Sequence, residues 1–179
     1  MTTSSNGRLF WGAALTVVAL DALTKWIVQH TLLPLEPHRI FGDYVRFTLV
    51  FNSGAAFSMS LGRNSRWIFG AFAAIALYIL WRLYKQGAPG ERARSLALGL
   101  AWGGAAGNLI DRIRQSSGVV DFIDIGVGTV RFWTFNVADS AVTVGAFLLA
   151  WVLWHEERKP RAGQQTTPKR EAVEERTGT

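Results

Sequence analysis

The sequence predicts an integral membrane protein that is mainly α-helical, with four transmembrane helices and a small β-sheet region at the outer membrane surface. Hydrophobic residues make up 49% of the 179 residues and are concentrated in four blocks, each near the length of about 20 residues that crosses a bilayer. The segment between the first two blocks is rich in strand-forming residues. The final segment is polar and of mixed charge. We therefore expect a membrane domain over residues 1–155 and a disordered cytoplasmic tail over residues 156–179.

The first block, residues 10–33, is too long for a cleaved signal peptide and ends before Pro34, so we expect a retained first span. Two charged residues interrupt it. Asp21 and Lys25 lie four positions apart, on one face of a helix. The pair has a structural interpretation, in which mutual neutralisation lets the span enter the membrane, and a functional one, in which it supports a polar pocket.

The β-sheet region is expected over residues 40–61, between the first and second spans. This stretch is too short and too mixed in character to cross a membrane. Its strand formers are Tyr44, Val45, Phe47, Leu49, Val50 and Phe51. At its end Asn52 offers a donor and an acceptor, and Gly54 allows the backbone to approach a partner closely, so both can support a binding pocket. An ordinary turn explains these two residues equally well.

Three further blocks, residues 67–84, 95–113 and 135–154, complete the predicted spans. Residues 86–91 contain Gly-Ala-Pro-Gly and form a tight link between the second and third spans. Four crossings place both termini on one side of the membrane. Eleven Lys and Arg residues on that side, against seven on the other, favour cytoplasmic termini. The polar clusters then lie near the outer face.

The third block carries a polar cluster among small residues. Its sequence from Gly103 to Arg112 is GGAAGNLIDR, in which Asn108 and Asp111 are three positions apart and share a helical face. A glycine packing seam that ends in a salt bridge of Asp111 explains the glycines but gives no reason for Asn108. A pocket lined by these residues explains both features.

Two more aspartates follow. Asp121 lies in the link before the fourth span, and Asp139 lies at the start of that span, three residues after Asn136. If the two carboxylates meet, they share one proton, which is the state in which one carboxylate activates water and the other hydrogen-bonds a carbonyl. On spacing alone Asp124 could replace Asp121. Each aspartate could instead cap the start of a helix.

Composition excludes several other kinds of site. The chain has no Cys, and its three His residues have no zinc-binding spacing, so we expect no metal and no cofactor. The formal charge of +6 is typical of basic loops that face anionic lipid. Nucleic-acid binding is not expected, because no basic helix or aromatic and basic platform is present.

Five sequence blocks, in this order, resemble the bacterial lipoprotein signal peptidases, the type II signal peptidases. The blocks are DALTK, FNSGAAFS, GGAAGNLIDR, VVDFIDI and FNVADS, and the resemblance covers the chain from about Asp21 to Gly145. The resemblance implies an inner-membrane aspartyl endopeptidase that removes the signal peptide from diacylglyceryl-modified prolipoproteins, cutting N-terminal to the lipidated cysteine. It also implies a small sheet that rests on the membrane.

The resemblance assigns roles to individual residues. Asp121 of VVDF and Asp139 of FNVAD are the expected catalytic pair, and Asp124 has no such role. Asp21 and Lys25 are expected to hold the first helix against its neighbours. The residues expected to line or brace the pocket are Asn52, Asn108, Asp111, Arg112 and Asn136. The expected partners are the prolipoprotein substrate and membrane lipids, and the enzyme is expected to be a monomer.

Two other function classes fit parts of the sequence. A small proton-coupled carrier would use the intramembrane Asp and Lys as a relay, but the chain shows no inverted repeat and its polar residues lie near one face. A structural membrane adaptor would use the polar clusters for assembly. It predicts that polar substitutions lower abundance rather than activity.

Overall fold

The described residues form four helices and four strands, with one pair of strands after the first helix and a second pair before the last helix. A computed structural model describes residues 3–54 and 64–158. The elements are α1 (Thr3–Thr31), β1 (Pro37–Phe41), β2 (Val45–Asn52), α2 (Ser65–Lys85), α3 (Arg92–Arg114), β3 (Val119–Val127), β4 (Val130–Arg131) and α4 (Val137–Glu157). The last helix therefore continues past residue 155, and residues 159–179 of the predicted tail lie outside the described residues.

Within the described ranges three helices are long and apolar enough to cross a membrane. They are Ser5–Thr31, Ser65–Lys85 and Val137–His155. The first, second and fourth predicted spans are therefore confirmed as candidates by length and composition. The third predicted span coincides with α3, which does not reach the same apolarity, because charged residues near both of its ends, Asn108 and several glycines lower its mean hydropathy.

The helix α3 is the centre of the helical part. It packs against α1, α2 and α4, and most of its buried residues are Gly, Ala or Ser. A Cβ at Gly103 would lie 2.7 Å from the Ala14 carbonyl oxygen of α1, and a Cβ at Gly104 would overlap the Ala138 carbonyl oxygen of α4. These two neighbouring glycines therefore allow α3 to contact the backbones of two helices on different sides.

The four strands form one antiparallel sheet in the order β1-β2-β3-β4. The predicted β region, residues 40–61, contains β2 and the last two residues of β1, which begins earlier, at Pro37. Its residues 55–61 lie outside the described part of the chain. The sequence did not predict β3 and β4, which come from the link between α3 and α4. Because β2 pairs with β3, the sheet joins the α1–α2 connection to the α3–α4 connection.

A small apolar core fixes the sheet against the helices. Val28 of α1, Leu49 of β2, and Val120 and Phe122 of β3 are buried together. Side chains alternate between the two faces of a strand, so Asp121, between Val120 and Phe122, points to the other face. The core therefore determines the direction in which Asp121 faces.

Candidate active site

The start of α4 is a reciprocal helix cap that contains Asp139. The Asp139 backbone N–H donates to Asn136 Oδ1 at 2.9 Å, and the Asn136 backbone N–H donates to Asp139 Oδ2 at 3.1 Å. This is the hydrogen-bond pattern of a capping box, with Asn136 as the N-cap and Asp139 three residues later. Asp139 therefore takes part in capping α4 from the third position of the helix and is not itself the N-cap, and Asp121 lies within β3 and caps no helix. The cap leaves Asp139 Oδ1 available for other contacts.

Asn136 also connects this helix start to β3. Its Nδ2 donates to Asp121 Oδ1 at 2.7 Å, and its side chain is fully buried. Asn52 Nδ2, from the end of β2, donates to Asp121 Oδ2 at 3.1 Å. Asn52 Oδ1 accepts the Gly54 N–H at 3.0 Å, and Gly54 has a φ of +107°, which favours glycine. Each oxygen of Asp121 therefore accepts a hydrogen bond from an amide side chain.

Asn108 of α3 completes the connection between the predicted pair. Its Nδ2 donates to Asp139 Oδ1 at 2.8 Å, and its Oδ1 accepts Asn136 Nδ2 at 3.1 Å. The structure thus brings Asn52, Asn108, Asn136, Asp121 and Asp139 into one hydrogen-bonded cluster. These residues come from four elements or their ends, and Asn136 bonds to both carboxylates.

The surroundings of Asp121 change its acidity. Burial, followed by the negative charge of Asp139, raises the pKa of Asp121 from 3.8 to about 7, although hydrogen bonds from Asn52 and Asn136 act in the opposite direction. A carboxyl group with this pKa can hold a proton near neutral pH. Perturbed carboxyl groups of this kind are typical of catalytic sites, and also occur in buried structural networks.

A second cluster, which we call the ion triad, consists of Asp21, Lys25 and Asp111. Lys25 Nζ lies 2.7 Å from Asp21 Oδ2 and 2.8 Å from Asp111 Oδ2, and all three side chains are buried. The spacing in the sequence predicted the pair within α1. It could not predict that Asp111 of α3 joins the pair, because that contact depends on helix packing.

The ion triad bonds to the cluster around the predicted pair at three points. Lys25 Nζ donates to Asn108 Oδ1 at 3.1 Å. Asp21 Oδ1 accepts the Ala138 N–H at 3.0 Å, and Asp111 Oδ2 accepts the Val120 N–H at 3.2 Å. The two backbone contacts were not anticipated, since a backbone N–H leaves no signal in the amino-acid sequence.

Arg112 lies beside the cluster. Its Nη1 donates to the Asn108 carbonyl oxygen at 3.0 Å, and the charges of Asp139, Asp121 and Asp111 act on its guanidinium group. Its buried Nε has no hydrogen-bond partner among the described residues. The position supports the expectation that Arg112 braces the pocket.

Asp124 belongs to a different network. Its carboxylate accepts Arg131 Nε at 2.9 Å and Thr48 Oγ1 at 3.3 Å, which ties β2, β3 and β4 together. Residues three apart on a strand point to opposite faces, so Asp124 faces away from Asp121. The spacing left the choice between Asp121 and Asp124 open. Of these two aspartates, Asp121 accepts the hydrogen bonds from Asn52 and Asn136, and Asp124 accepts those from Thr48 and Arg131.

Comparisons with known proteins identify the family of this chain. A family model described as signal peptidase (SPase) II matches residues 13–155. A lipoprotein signal peptidase of Coxiella burnetii (strain Dugway 5J108-111) is 43% identical over 150 residues, which are 80% of this chain and 89% of that protein. One of Burkholderia thailandensis (strain ATCC 700388 / DSM 13276 / CCUG 48851 / CIP 106301 / E264) is 38% identical over 168 residues, or 92% of this chain and 98% of that protein.

Solved structures show the same architecture. A bacterial membrane enzyme solved by the in meso method at 2.3 Å is similar with a TM-score of 0.75 and 29% identity, over 86% of this chain and 92% of that one. A second, solved by the same method at 1.9 Å, has a TM-score of 0.70 and 32% identity, over 79% and 89% of the two chains.

Proposed function

Because the chain belongs to the signal peptidase II family, which makes it a protease and a lipoprotein signal peptidase, we propose how and where it cuts its substrate. The substrate is a prolipoprotein whose cysteine carries a diacylglyceryl group. The cut falls on the N-terminal side of that cysteine. Water held between Asp121 and Asp139 attacks the peptide bond directly, without an acyl-enzyme.

The observation that carries this proposal is the unequal environment of the two carboxyl groups. Burial and the charge of Asp139 raise the pKa of Asp121 to about 7, so Asp121 is the group that carries the proton near neutral pH. Asp139 accepts hydrogen bonds from Asn108 Nδ2 and from the Asn136 backbone N–H. Since Asp121 is the member that carries the proton in this proposal, Asp139 is left as the base.

The proposed reaction follows from these two roles. Asp139 takes a proton from the water, and the water oxygen attacks the carbonyl carbon. Asp121 donates its hydrogen bond to the carbonyl oxygen as negative charge develops there. The tetrahedral intermediate collapses when the leaving amine, which becomes the amino group of the lipidated cysteine, takes the proton from Asp139. The new carboxyl group is the C-terminus of the released signal peptide.

The arrangement in the membrane is also a proposal. Pairing of β2 with β3 puts the α1–α2 and α3–α4 connections on one side, so α2 and α3 both run from that side to their short link. The 23 residues of α3 extend about 35 Å at 1.5 Å per residue, enough to cross the hydrocarbon region. We therefore assign α3 as a transmembrane helix as well, which brings the number of spans to four, and we place the protein in the bacterial inner membrane with both termini in the cytoplasm.

The sheet suits a substrate that stays attached to lipid. Large apolar side chains are exposed on β1 and its turn and at the end of the sheet; they include Phe41, Tyr44, Val127 and Val130. Exposed apolar patches of this kind mark contact surfaces with membranes or proteins. On the outer membrane surface the sheet would leave the diacylglyceryl chains in the bilayer while the peptide bond reaches the Asp121 and Asp139 side chains. A monomer carries all these groups.

A gel-shift cleavage assay tests the proposal. Purified protein in detergent is mixed with a diacylglyceryl-modified prolipoprotein, beside its Asp121→Asn, Asp139→Asn and Asp124→Asn variants. We expect wild type and Asp124→Asn to cleave the substrate, because Asp124 faces away from the cluster, and the other two variants to be inactive although folded. Near-normal cleavage by Asp121→Asn or Asp139→Asn would contradict the assignment. No cleavage by folded wild type would favour the carrier interpretation.

A further inference from the structure

We propose that the ion triad of Asp21, Lys25 and Asp111 positions the two reacting carboxyl groups relative to each other. The inference rests on the proposed function of Asp121 and Asp139. It assigns the ion triad more than the neutralisation of charge within the first span. The three side chains do not touch the reacting atoms, so they are positioning residues.

One contact of the ion triad holds the helix that carries Asp139. Asp21 Oδ1 accepts the N–H of Ala138 at 3.0 Å, and Ala138 is the residue directly before Asp139. The first N–H groups of a helix have no partner within the helix. The Asp21 carboxylate of α1 therefore satisfies one of these N–H groups. It thereby fixes the first turn of α4, which carries Asp139.

A matching contact holds the strand that carries Asp121. Asp111 Oδ2 accepts the N–H of Val120 at 3.2 Å, and Val120 is the residue directly before Asp121. Each reacting carboxyl group is thus preceded by a backbone N–H that donates to a carboxylate of the ion triad. The separation of the two anchoring carboxylates determines the separation of the two backbone segments.

Lys25 sets that separation. An ammonium group has three N–H donors, and Lys25 Nζ directs them to Asp21, Asp111 and Asn108. The third bond also fixes Asn108. Since Asn108 Oδ1 accepts from Lys25 and from Asn136, its Nδ2 must face Asp139, to which it donates at 2.8 Å. If the Asn108 amide were reversed, its Nδ2 would face the Lys25 ammonium group, which is also a donor, and its Oδ1 would face the Asp139 carboxylate, which is also an acceptor.

The alternative is that the ion triad serves stability alone. It predicts that triad variants lose folded protein while the folded fraction keeps its kcat. Positioning predicts a lower kcat with little change in KM, because a displacement of about 1 Å at the reacting groups costs about 100-fold in rate. The two interpretations therefore differ in a quantity that folding alone does not change.

The paired variants Asp111→Asn and Asp111→Leu separate them. Both contacts of Asp111 use Oδ2, so an Asn oxygen in that position keeps both hydrogen bonds and loses only the charge. Leu has a similar shape and offers no acceptor, and a cavity of about 360 Å³ beside the ion triad gives it room. We expect kcat to fall about 100-fold for Asp111→Leu, and about tenfold or less for Asp111→Asn, with KM within about threefold for both.

The control and a second variant complete the experiment. Asp124→Asn removes another buried ion pair of the sheet and should keep its kcat, because Asp124 has no contact with the cluster. The double variant Lys25→Met with Asp111→Asn keeps the net charge of the ion triad and its two backbone contacts, and removes the bond to Asn108. We expect its kcat to fall at least about tenfold.

Each outcome has one meaning. Equal kcat values for folded Asp111→Leu and Asp111→Asn, in an enzyme whose wild type cleaves the substrate, would overturn the positioning role. If Asp111→Leu does not fold, a wild-type kcat in the double variant Lys25→Met with Asp111→Asn would overturn the positioning role. A wild type that folds and does not cleave would instead overturn the proposed function, so the two failures are distinguishable.

Discussion

The pKa of Asp121 predicts that the contribution of this residue to the stability of the protein falls as pH rises through the acidic range. The pKa of Asp121 is raised from 3.8 to about 7 in the folded protein by burial and by the charge of Asp139. Between these two values the folded state holds a proton that the unfolded state has released. Stability falls with pH wherever the folded state binds more protons. Asp121 therefore costs stability progressively from about pH 4 to about pH 7, and fully above that.

The size of this effect follows from the interval between the two pKa values. The interval from 3.8 to about 7, at 1.36 kcal/mol per pH unit, corresponds to roughly 4 kcal/mol. The Asp121→Asn variant has no proton to release. The free energy of unfolding of wild type, measured relative to Asp121→Asn, should therefore fall by roughly 4 kcal/mol between pH 4 and pH 8.

Unfolding by SDS in mixed micelles, followed by tryptophan fluorescence at a series of pH values, measures this difference. The Asp124→Asn variant is the matched control, because it removes a carboxylate of the same strand and leaves Asp121 in place. The free energy of unfolding of Asp124→Asn, measured relative to Asp121→Asn, should fall with rising pH as that of wild type does. Parallel curves for wild type and Asp121→Asn would show that Asp121 takes up no proton on folding, and would refute the reasoning about its environment.

Three glycine substitutions test the packing that positions the site. Gly104→Ala should lower the free energy of unfolding by about 1–3 kcal/mol and reduce kcat, because the new Cβ overlaps the Ala138 carbonyl oxygen at the start of α4. Gly12→Ala, whose Cβ has nothing within 4 Å, should instead add up to about 1 kcal/mol; equal stability of the two variants would contradict the packing argument. Gly118→Ala should lower the free energy of unfolding, measured by the same SDS titration, by more than about 1 kcal/mol. The reason is that Gly118 has a φ of +105° and that a Cβ there would overlap the Asn52 carbonyl oxygen. An unchanged free energy of unfolding would contradict the close approach of β2 to Gly118.

The local features of the site were predictable from the sequence. The helical pair Asp21 and Lys25 depends only on a spacing of four residues, and the structure contains it. The capping box at Asn136 and Asp139 depends only on a spacing of three residues and could be read from the same short range.

Contacts between distant segments were not predictable in the same way. The choice between Asp121 and Asp124 depends on recognising β3 as a strand. Its sequence, VVDFIDIGV, shows no regular alternation of polar and apolar residues from which a strand could be predicted. The contact between Asp111 and Lys25 depends on how closely α1 and α3 pack. The small residues of α3 permit close packing but do not specify it. The family resemblance supplied the choice of Asp121 that the periodicity could not.

The pairing of β2 with β3 has a consequence for the order of events during synthesis. Asn52 donates to Asp121, which follows it in the chain by 69 positions. At about 5–20 residues per second, β2 leaves the ribosome several seconds before its partner strand exists. The pair that we propose as catalytic is complete only when Asp139 follows, at the start of α4. The proposed mechanism therefore implies that a chain that ends before Asp139 has no proteolytic activity, and that the enzyme becomes active only once the synthesis of α4 has begun.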